Sequence, residues 1–356
     1  METKKMTRRF FMKKAAAGAG LVAASGPWVL LPRKGQAAAD KGPIVFCTYG
    51  GPYGDNMQKY VIDPFTKKTG IQVIRTSTPA FARVKAMVDT QNVEWDVVDA
   101  ESLLYYRGIK MNLFTALDWN VIGHRSDLVP GCAEPMGAGN VFFCGVISWS
   151  KKKFSKETAP KHWVDFFKFP GKRTIRGEAY GTLESAALGD GAPKDKVYPI
   201  DLDRTFKMLD GAKKGIIFWK NTKMALDLLV TGEVDFGSVG IGPVLTAIEA
   251  GEPLDYTWNQ GVMDKDFLVI PKGSKQVEAS MKFISHCMDP EIQGAYSTNY
   301  NVGPSNLKAI GFIPEKRREM IPTSPKNLPQ IFIVDGRYWA EHEEAVAKRF
   351  EQWLTT

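Results

Sequence analysis

EVDFGSVGIGPVLTAIEAGEPLDYTWNQGVMDKDFLVIP, residues 233–271, is the part of the sequence that most directly predicts the architecture. It begins as a strand, because Val234 and Phe236 alternate with polar neighbours, and three glycines then allow the backbone to turn. Pro243 suits the first position of a helix, and Gly251 ends that helix. An open α/β sheet binds ligands at such a junction, because free helix N–H groups point into the crevice.

Two carboxylates lie close together near the end of this stretch. Asp264 and Asp266 come just before the apolar run Phe267–Ile270, which is predicted to be a strand. Residues two apart on an extended backbone share a face. We therefore predict that both carboxylates face one cleft.

The N-terminal segment, residues 1–39, has the features of a targeting signal. Arg8 and Arg9 precede two phenylalanines, which is typical of twin-arginine export, and the alanines at 37–39 suit cleavage. A membrane anchor is the alternative reading of the apolar run from Ala15 to Leu31. Glycines and a proline interrupt that run, and it is rich in alanine rather than leucine. The sequence therefore predicts a signal peptide and a mature protein in the periplasm.

Removal of the signal changes the charge of the protein. The full chain carries 47 lysines and arginines against 39 aspartates and glutamates, a net charge of +8. The first 39 residues hold eight of the basic residues and one of the acidic residues, so the mature chain keeps 39 basic and 38 acidic residues. A nearly neutral protein lacks the field that attracts a polyanion, which excludes nucleic acid as its partner.

The mature chain, about 317 residues, is too long for one compact core and predicts two lobes. Three strand-to-helix steps in its first part predict an α/β fold with a mostly parallel, wound sheet. The apolar strands Val141–Trp149 and Phe267–Ile270 are predicted to cross between the lobes. The predicted division is residues 40–147 for lobe 1, 148–266 for lobe 2, and 267–356, with the C-terminal helices, for lobe 1 again.

The four cysteines permit disulfides in an exported chain. Cys132 and Cys144 flank a segment with proline and glycine that would bring them together, so we expect them to pair. Cys47 and Cys287 lie in apolar runs and are expected to be small buried residues.

Six motifs, in order along the chain, carry a family resemblance: DPFTKKTGIQV, WDVVDAES, HWVDFFKFPGKRTI, TGEVDFGSVGIGPV, DFLVIPKGS and YNVGPSN. Their order and spacing resemble the bacterial extracellular solute-binding proteins of ABC importers, in the branch that contains spermidine/putrescine-binding proteins. The resemblance implies the type II periplasmic binding protein fold, with two α/β lobes joined by a two-strand hinge. It also implies a monomer that traps a small ligand and delivers it to a membrane permease.

Individual positions agree with that branch unevenly. Asp266 matches the acidic residue that holds a ligand ammonium in polyamine binders, and Tyr49 matches an aromatic position. Gly240 replaces a tryptophan, Glu101 replaces a small hydroxyl residue, and Gly181 replaces a second acid. The resemblance therefore implies an amine ligand in a pocket that has changed.

The remaining candidate ligand contacts carry both signs of charge. A small amine-bearing, polyamine-like solute is the main prediction, and a zwitterionic amino acid, γ-aminobutyrate or an opine is the alternative. Aromatic faces would cover a methylene chain and contact the ammonium. The predicted ligand-binding residues are Tyr49, Tyr53, Glu101, Arg176, Glu178, Tyr180, Trp219, Gly240, Asp264 and Asp266.

An enzyme and an iron-binding protein are the alternative classes. Cys47 is the candidate nucleophile, but no histidine lies near it in the sequence, and a buried thiol is the simpler interpretation. Tyr105 and Tyr106 are the candidate ferric-ion ligands, but a helical run there would direct one ring inward and the other toward solvent. We predict no catalytic residue, no metal site and no cofactor.

The export signal gives a first testable prediction. Replacing Arg8 and Arg9 with lysine removes the twin-arginine pattern while it keeps the charge. We expect the unprocessed precursor to accumulate in the cytoplasm, as measured by cell fractionation and immunoblotting. Normal processing and export of this variant would contradict the assignment.

Overall fold

The computed structural model describes residues 42–356, so the predicted signal peptide, residues 1–39, lies outside the described residues. The strands are β1 Ile44–Cys47, β2 Val73–Thr76, β3 Val97–Glu101, β4 Ala133–Glu134, β5 Gly137–Ser150, β6 Arg173–Arg176, β7 Ile216–Trp219, β8 Phe236–Gly240, β9 Leu254–Val269, β10 Gly303–Pro304 and β11 Phe332–Ile333. The helices are α1 Gly51–Met57, α2 Asp63–Thr69, α3 Phe81–Asp89, α4 Ser102–Lys110, α5 Trp119–Ile122, α6 Trp163–Lys168, α7 Ala179–Gly189, α8 Leu202–Ala212, α9 Thr222–Val230, α10 Ile241–Glu249, α11 Val277–Cys287, α12 Pro290–Tyr300, α13 Glu315–Arg318 and α14 Gly336–Thr355.

The sheet has two parallel parts joined by two long antiparallel strands. Its order is β2-β1-β3-β9-β5-β8-β6-β7. Strands β2, β1 and β3 are parallel in one lobe, and β8, β6 and β7 are parallel in the other. Strand β9 pairs with β3, strand β5 pairs with β8, and β5 and β9 pair with each other. The predicted α/β fold with two lobes and two crossing strands is confirmed.

The second crossing strand is longer than its apolar run. Strand β9 begins at Leu254, whereas the sequence predicted a strand only over Phe267–Ile270. Residues 255–260 are half-exposed, so apolar alternation does not mark them as a strand. Asp264 and Asp266 consequently lie within the strand and not before it.

The last helix packs differently from the prediction that assigned residues 267–356 to lobe 1. The buried side chains of α14, among them Trp339 and Phe350, join the core that contains Trp163 and Phe206 of the second lobe. The same helix also contacts α4 of the first lobe, where Arg107 forms a 2.9 Å ion pair with Glu343, one turn after Trp339. An apolar stripe identifies the buried face of a helix but not the surface that covers it.

The expected Cys132–Cys144 disulfide is wrong. All four cysteines are free and buried. The thiol of Cys132 lies beside Gly139, and that of Cys144 lies beside Gly261. Because β5 runs without a turn from Gly137, position 144 is five residues along the strand from position 139, which is roughly 16 Å. Within residues 42–356, no helix is both long enough and apolar enough to cross a bilayer.

The packing of α14 can be tested at Phe350, which is 1% exposed. Phe350→Ala removes a fully buried ring, and we expect the free energy of unfolding to fall by about 3–5 kcal/mol. Urea unfolding followed by circular dichroism measures this change. Glu344→Ala, at an exposed position of the same helix, is the control and should change stability by less than about 0.5 kcal/mol. Equal effects of the two substitutions would contradict the packing.

Candidate functional site

A cavity of about 300 Å³ lies where the two lobes and the crossing strands meet. The carboxyl ends of three parallel strands open onto it, at Arg176 of β6, Trp219 of β7 and Gly240 of β8. The first lobe contributes residues 300–302, at the end of α12 and directly after it, and the crossing strands contribute Phe143, Cys144, Gly145, Val262 and Asp264. Because carboxyl ends of parallel strands form ligand crevices, this cavity is the candidate site.

Three helices of the second lobe begin at this cavity. The regular part of α7 starts at Thr182, after Tyr180 and Gly181 break the first turn, and α9 and α10 start at Thr222 and Ile241. The cap residue of α10 is Gly240, and it makes no side-chain hydrogen bond to the helix. Helix N-termini carry partial positive charge and free N–H groups, so this side of the cavity favours an anionic group.

Arg176 adds a full positive charge to the same side. It is the cross-strand partner of Trp219, and its guanidinium lies 2.5 Å from the carboxylate of Glu178. Both side chains of this ion pair remain partly exposed. A guanidinium has five donors, so one carboxylate does not use its capacity. The indole of Trp219 donates to the carbonyl of Ser238 at 2.9 Å, which fixes the ring as part of the wall.

Asp264 is bound by two hydroxyl groups. Ser102 donates to its Oδ1 at 2.7 Å, Tyr180 donates to its Oδ2 at 2.7 Å, and the two hydroxyl oxygens lie 2.9 Å apart. Burial raises the pKa of Asp264, and the two hydrogen bonds oppose that shift. The triangle joins the first lobe, the second lobe and a crossing strand. Asp264 therefore has fewer free acceptor sites for a ligand than the sequence suggested.

Asp266 is a buried carboxylate that lacks a partner at one oxygen. Asp266 is 2% exposed, and no hydrogen-bond donor from residues 42–356 reaches its Oδ2. Burial raises the pKa of Asp266 well above its usual range, and the charges of Asp99, Glu101 and Asp264 raise it further. A buried ionised group without a partner is costly. A cation bound beside Asp266 would therefore stabilise its ionised carboxylate.

Asp99 is a fully buried carboxylate of this cluster and was not predicted from the sequence. It accepts hydrogen bonds from Tyr53 at 2.6 Å, from Thr48 at 2.8 Å and from Asn140 at 3.3 Å. Burial raises the pKa of Asp99 to about 6 despite these donors. Its position two residues before Glu101 on one strand was the available signal, because both side chains then share a face.

The predicted aromatic contacts Tyr49 and Tyr53 lie behind the cavity wall. Tyr53 is 4% exposed and packs against Phe143 and Tyr300, with ring centroids 5.8 and 5.3 Å away. Tyr49 meets Tyr53 edge-on at 5.6 Å. Phe143 and Tyr300 line the cavity, so Tyr53 supports these two lining residues from the side of the carboxylate cluster.

A second cavity, also of about 300 Å³, lies on the far side of Tyr180. The structure therefore divides the predicted residues into three sets. The first cavity is lined by Arg176, Tyr180, Trp219, Gly240 and Asp264. The second cavity is lined by Glu101, Arg176, Glu178 and Tyr180. The other predicted residues, Tyr49, Tyr53 and Asp266, line neither cavity. Tyr300 and Thr182 are lining residues that the sequence did not reveal. The ligand roles of all these residues stay predictions.

The structure also shows where the candidate residues of the enzyme and iron-binding alternatives lie. Cys47 is buried, and burial together with the charge of Asp99 raises the pKa of its thiol to about 12. Tyr105 stacks on Phe267 with a centroid distance of 4.1 Å, as a core residue does. Among residues 42–356, no group of three or more His, Cys, Asp or Glu side chains is arranged to hold a metal ion.

Both the sequence and the fold match known proteins. The family described as bacterial extracellular solute-binding protein matches residues 60–315. The chain is 30% identical over 326 residues to the gamma-aminobutyric acid-binding protein of Pseudomonas aeruginosa, which covers 89% of this chain and 92% of that protein. The solved Atu4243 GABA receptor is 32% identical with a TM-score of 0.82, over 88% of this chain and 98% of that one. AgtB from A. tumefaciens R10, in complex with agropinic acid, is 28% identical with a TM-score of 0.76, over 89% and 99%.

The raised pKa of Asp266 predicts how the unliganded protein responds to pH. A carboxyl group whose pKa is higher in the folded than in the unfolded state binds more protons when folded. The free energy of unfolding therefore falls as the pH rises from the unfolded-state pKa to the folded-state pKa. Asp266→Asn cannot ionise, so this variant does not lose that stability. We expect the variant without ligand to melt at a higher temperature than the wild type at pH 7, and the gap to narrow toward pH 4.

Differential scanning calorimetry from pH 4 to pH 8 measures this difference. Asp264→Asn is the matched control. Each oxygen of its carboxylate accepts a hydroxyl, whereas an amide has only one acceptor oxygen, so we expect the lost hydrogen bond to lower the melting temperature. An unliganded Asp266→Asn variant that is less stable than the wild type at pH 7 would show that the carboxylate is satisfied in the folded protein.

Proposed function

Because the chain belongs to the bacterial extracellular solute-binding proteins, the substrate-binding components of ABC transporters, we propose that it captures a small zwitterionic amine between its lobes. The ligand class is an amino acid whose ammonium and carboxylate are separated, as in γ-aminobutyrate. The observation that carries this proposal is the opposition of charges across the site. Buried carboxylates lie on the crossing-strand side, and helix N-termini with a guanidinium lie on the second-lobe side.

The ammonium end is assigned to Asp266 and its neighbour Glu101. Neither residue lines the first cavity in the unliganded protein, so the wall in front of Asp266 would open when the ligand binds. These residues are direct cross-strand partners, on β9 and β3. An ammonium on the free Oδ2 of Asp266 would satisfy the unpartnered acceptor and reduce the repulsion among the acids. A hydrogen bond to a charged group contributes roughly 1.5–3 kcal/mol, whereas micromolar affinity needs about 8 kcal/mol, so the ligand needs further contacts.

The carboxylate end is assigned to Arg176 and the helix N-termini at Thr182, Thr222 and Ile241. Arginine binds carboxylates through paired hydrogen bonds, and the helix ends add free N–H groups. The methylene chain between the two ends would lie against Phe143 and aromatic neighbours in the cavity wall. These contacts would supply the binding free energy that the ammonium contact alone does not provide.

A polyamine is the second candidate, because four carboxylates, Asp99, Glu101, Asp264 and Asp266, interact electrostatically across the same strands. A diamine would place its second ammonium toward Arg176 and the helix N-termini, where like charges repel. A zwitterion meets opposite charge at both ends. The relatives whose names include gamma-aminobutyric acid or agropinic acid also favour a ligand with a carboxylate.

The transport role includes proposals on export and motion. The protein is proposed to be a periplasmic monomer that leaves the cytoplasm by the twin-arginine pathway, binds one ligand and releases it unchanged to its permease. Ligand contacts to both lobes would favour the closed arrangement, because only differential contact shifts a conformational equilibrium.

The proposed ligand class is tested by isothermal titration calorimetry. We expect γ-aminobutyrate or another zwitterion from a panel of amino acids and opines to bind more tightly than putrescine or spermidine. Asp266→Asn should weaken this binding by more than tenfold, because it removes the charged acceptor. Asp63→Asn, at an exposed position of the first lobe, is the control and should bind as the wild type does.

Two results would contradict these assignments. Unchanged affinity in Asp266→Asn would remove the ammonium from that carboxylate. Binding of polyamines with no response to zwitterions would replace the ligand class and leave the transport role in place.

A further inference from the structure

Tyr180 separates the two cavities at the centre of the molecule. Only it and Arg176, among residues 42–356, line both of them. The ring of Tyr180 lies 5.1 Å from that of Trp339, which lines the second cavity, and its hydroxyl donates to Asp264, which lines the first. The side chain therefore extends from one cavity to the other as a partition.

Both ends of this partition are held in place. The hydroxyl is bound by Ser102 and Asp264, as described above. The backbone leaves the helical conformation at Tyr180, and Gly181 takes the left-handed conformation with φ of +79°, which favours glycine. The N–H of Gly181 donates to the buried carboxylate of Glu184 at 2.8 Å, and the indole of Trp339 donates to the same carboxylate. The ring has little freedom to move aside.

The second cavity has a chemistry of its own. Its wall carries four carboxylates, Glu101, Glu178, Glu343 and Glu351, and apolar surface that includes Leu103 and Phe350. Arg176 is its basic lining residue and is paired with Glu178. Such a compartment suits a methylene chain that ends in a cationic group.

We propose that Tyr180 determines the length of the ligand by closing the first cavity against this acidic compartment. The proposal rests on the proposed function, in which a short zwitterion binds in the first cavity. With the ring in place, a ligand must end at the partition. A smaller side chain at position 180 would join the cavities, and longer amines would then extend into the acidic compartment.

The test is a titration series of unbranched ω-amino acids with three to eight carbon atoms against Tyr180→Ala. We expect wild-type affinity to fall at least tenfold once the chain exceeds its optimum. In Tyr180→Ala the optimum should move to longer chains, with at least a tenfold change in the ratio of long-chain to short-chain affinity.

Two variants separate this role from a general loss of binding. Tyr180→Phe keeps the ring and loses both hydrogen bonds, so it should bind more weakly with the same optimal length. Tyr300→Ala opens a position that lines the first cavity and not the second, so it should weaken binding without moving the optimum. An unchanged optimum in Tyr180→Ala would overturn the proposal.

Crystal structures of the unliganded wild type and Tyr180→Ala supply a readout that does not depend on the ligand. We expect two cavities in the wild type and one continuous cavity in the variant. If two separate cavities persist in Tyr180→Ala, the partition is not Tyr180 and the proposal fails. If no ω-amino acid binds the wild type, the proposed function fails, and the crystal structures still decide whether Tyr180 is the partition.

Discussion

A buried carboxylate cluster on two adjacent antiparallel strands is the constraint around which the site is built. Asp99 on β3 and Asp266 on β9 are both removed from water, and of the two only Asp99 accepts hydrogen bonds at both oxygens. Such a cluster costs stability in the empty protein because carboxylates repel one another at low dielectric. A cationic group relieves that repulsion. The same feature would thus destabilise the empty site and stabilise a site occupied by a cationic group.

The crossing strands explain why this cluster can respond to both lobes. Strand β9 pairs with the first lobe through β3, and β5 pairs with the second through β8. The Asp264 carboxylate binds a hydroxyl from each lobe, through Ser102 and Tyr180. A change of the angle between the lobes would therefore alter the hydrogen bonds of a carboxylate that lies two residues from Asp266. We therefore expect the charge of the ligand and the arrangement of the lobes to be coupled through one strand.

The C-terminal helix adds a second connection between the lobes. Its apolar face is part of the second-lobe core, and Arg107 of α4 pairs with Glu343 at the edge of that face. Partly exposed ion pairs contribute little to stability, about 0–1 kcal/mol, so this contact can break at small cost when the lobes separate. The buried face, by contrast, keeps the helix on the second lobe. The helix is then expected to move with that lobe.

The sequence by itself determined the α/β class, the two lobes, the crossing strands and the family, because apolar periodicity, glycine turns and motif order are local properties. It also predicted ligand contacts at Asp266 and at the strand ends Arg176, Trp219 and Gly240, three of which line the first cavity. Only the tertiary structure decided that Asp264 is bound by two hydroxyls while Asp266 lacks a donor, and that Tyr180 divides two cavities. Partners of these side chains lie 78–162 residues away along the chain. Packing between residues far apart in the sequence therefore decides which acceptors stay free and which side chains line the site. No local sequence pattern contains that information.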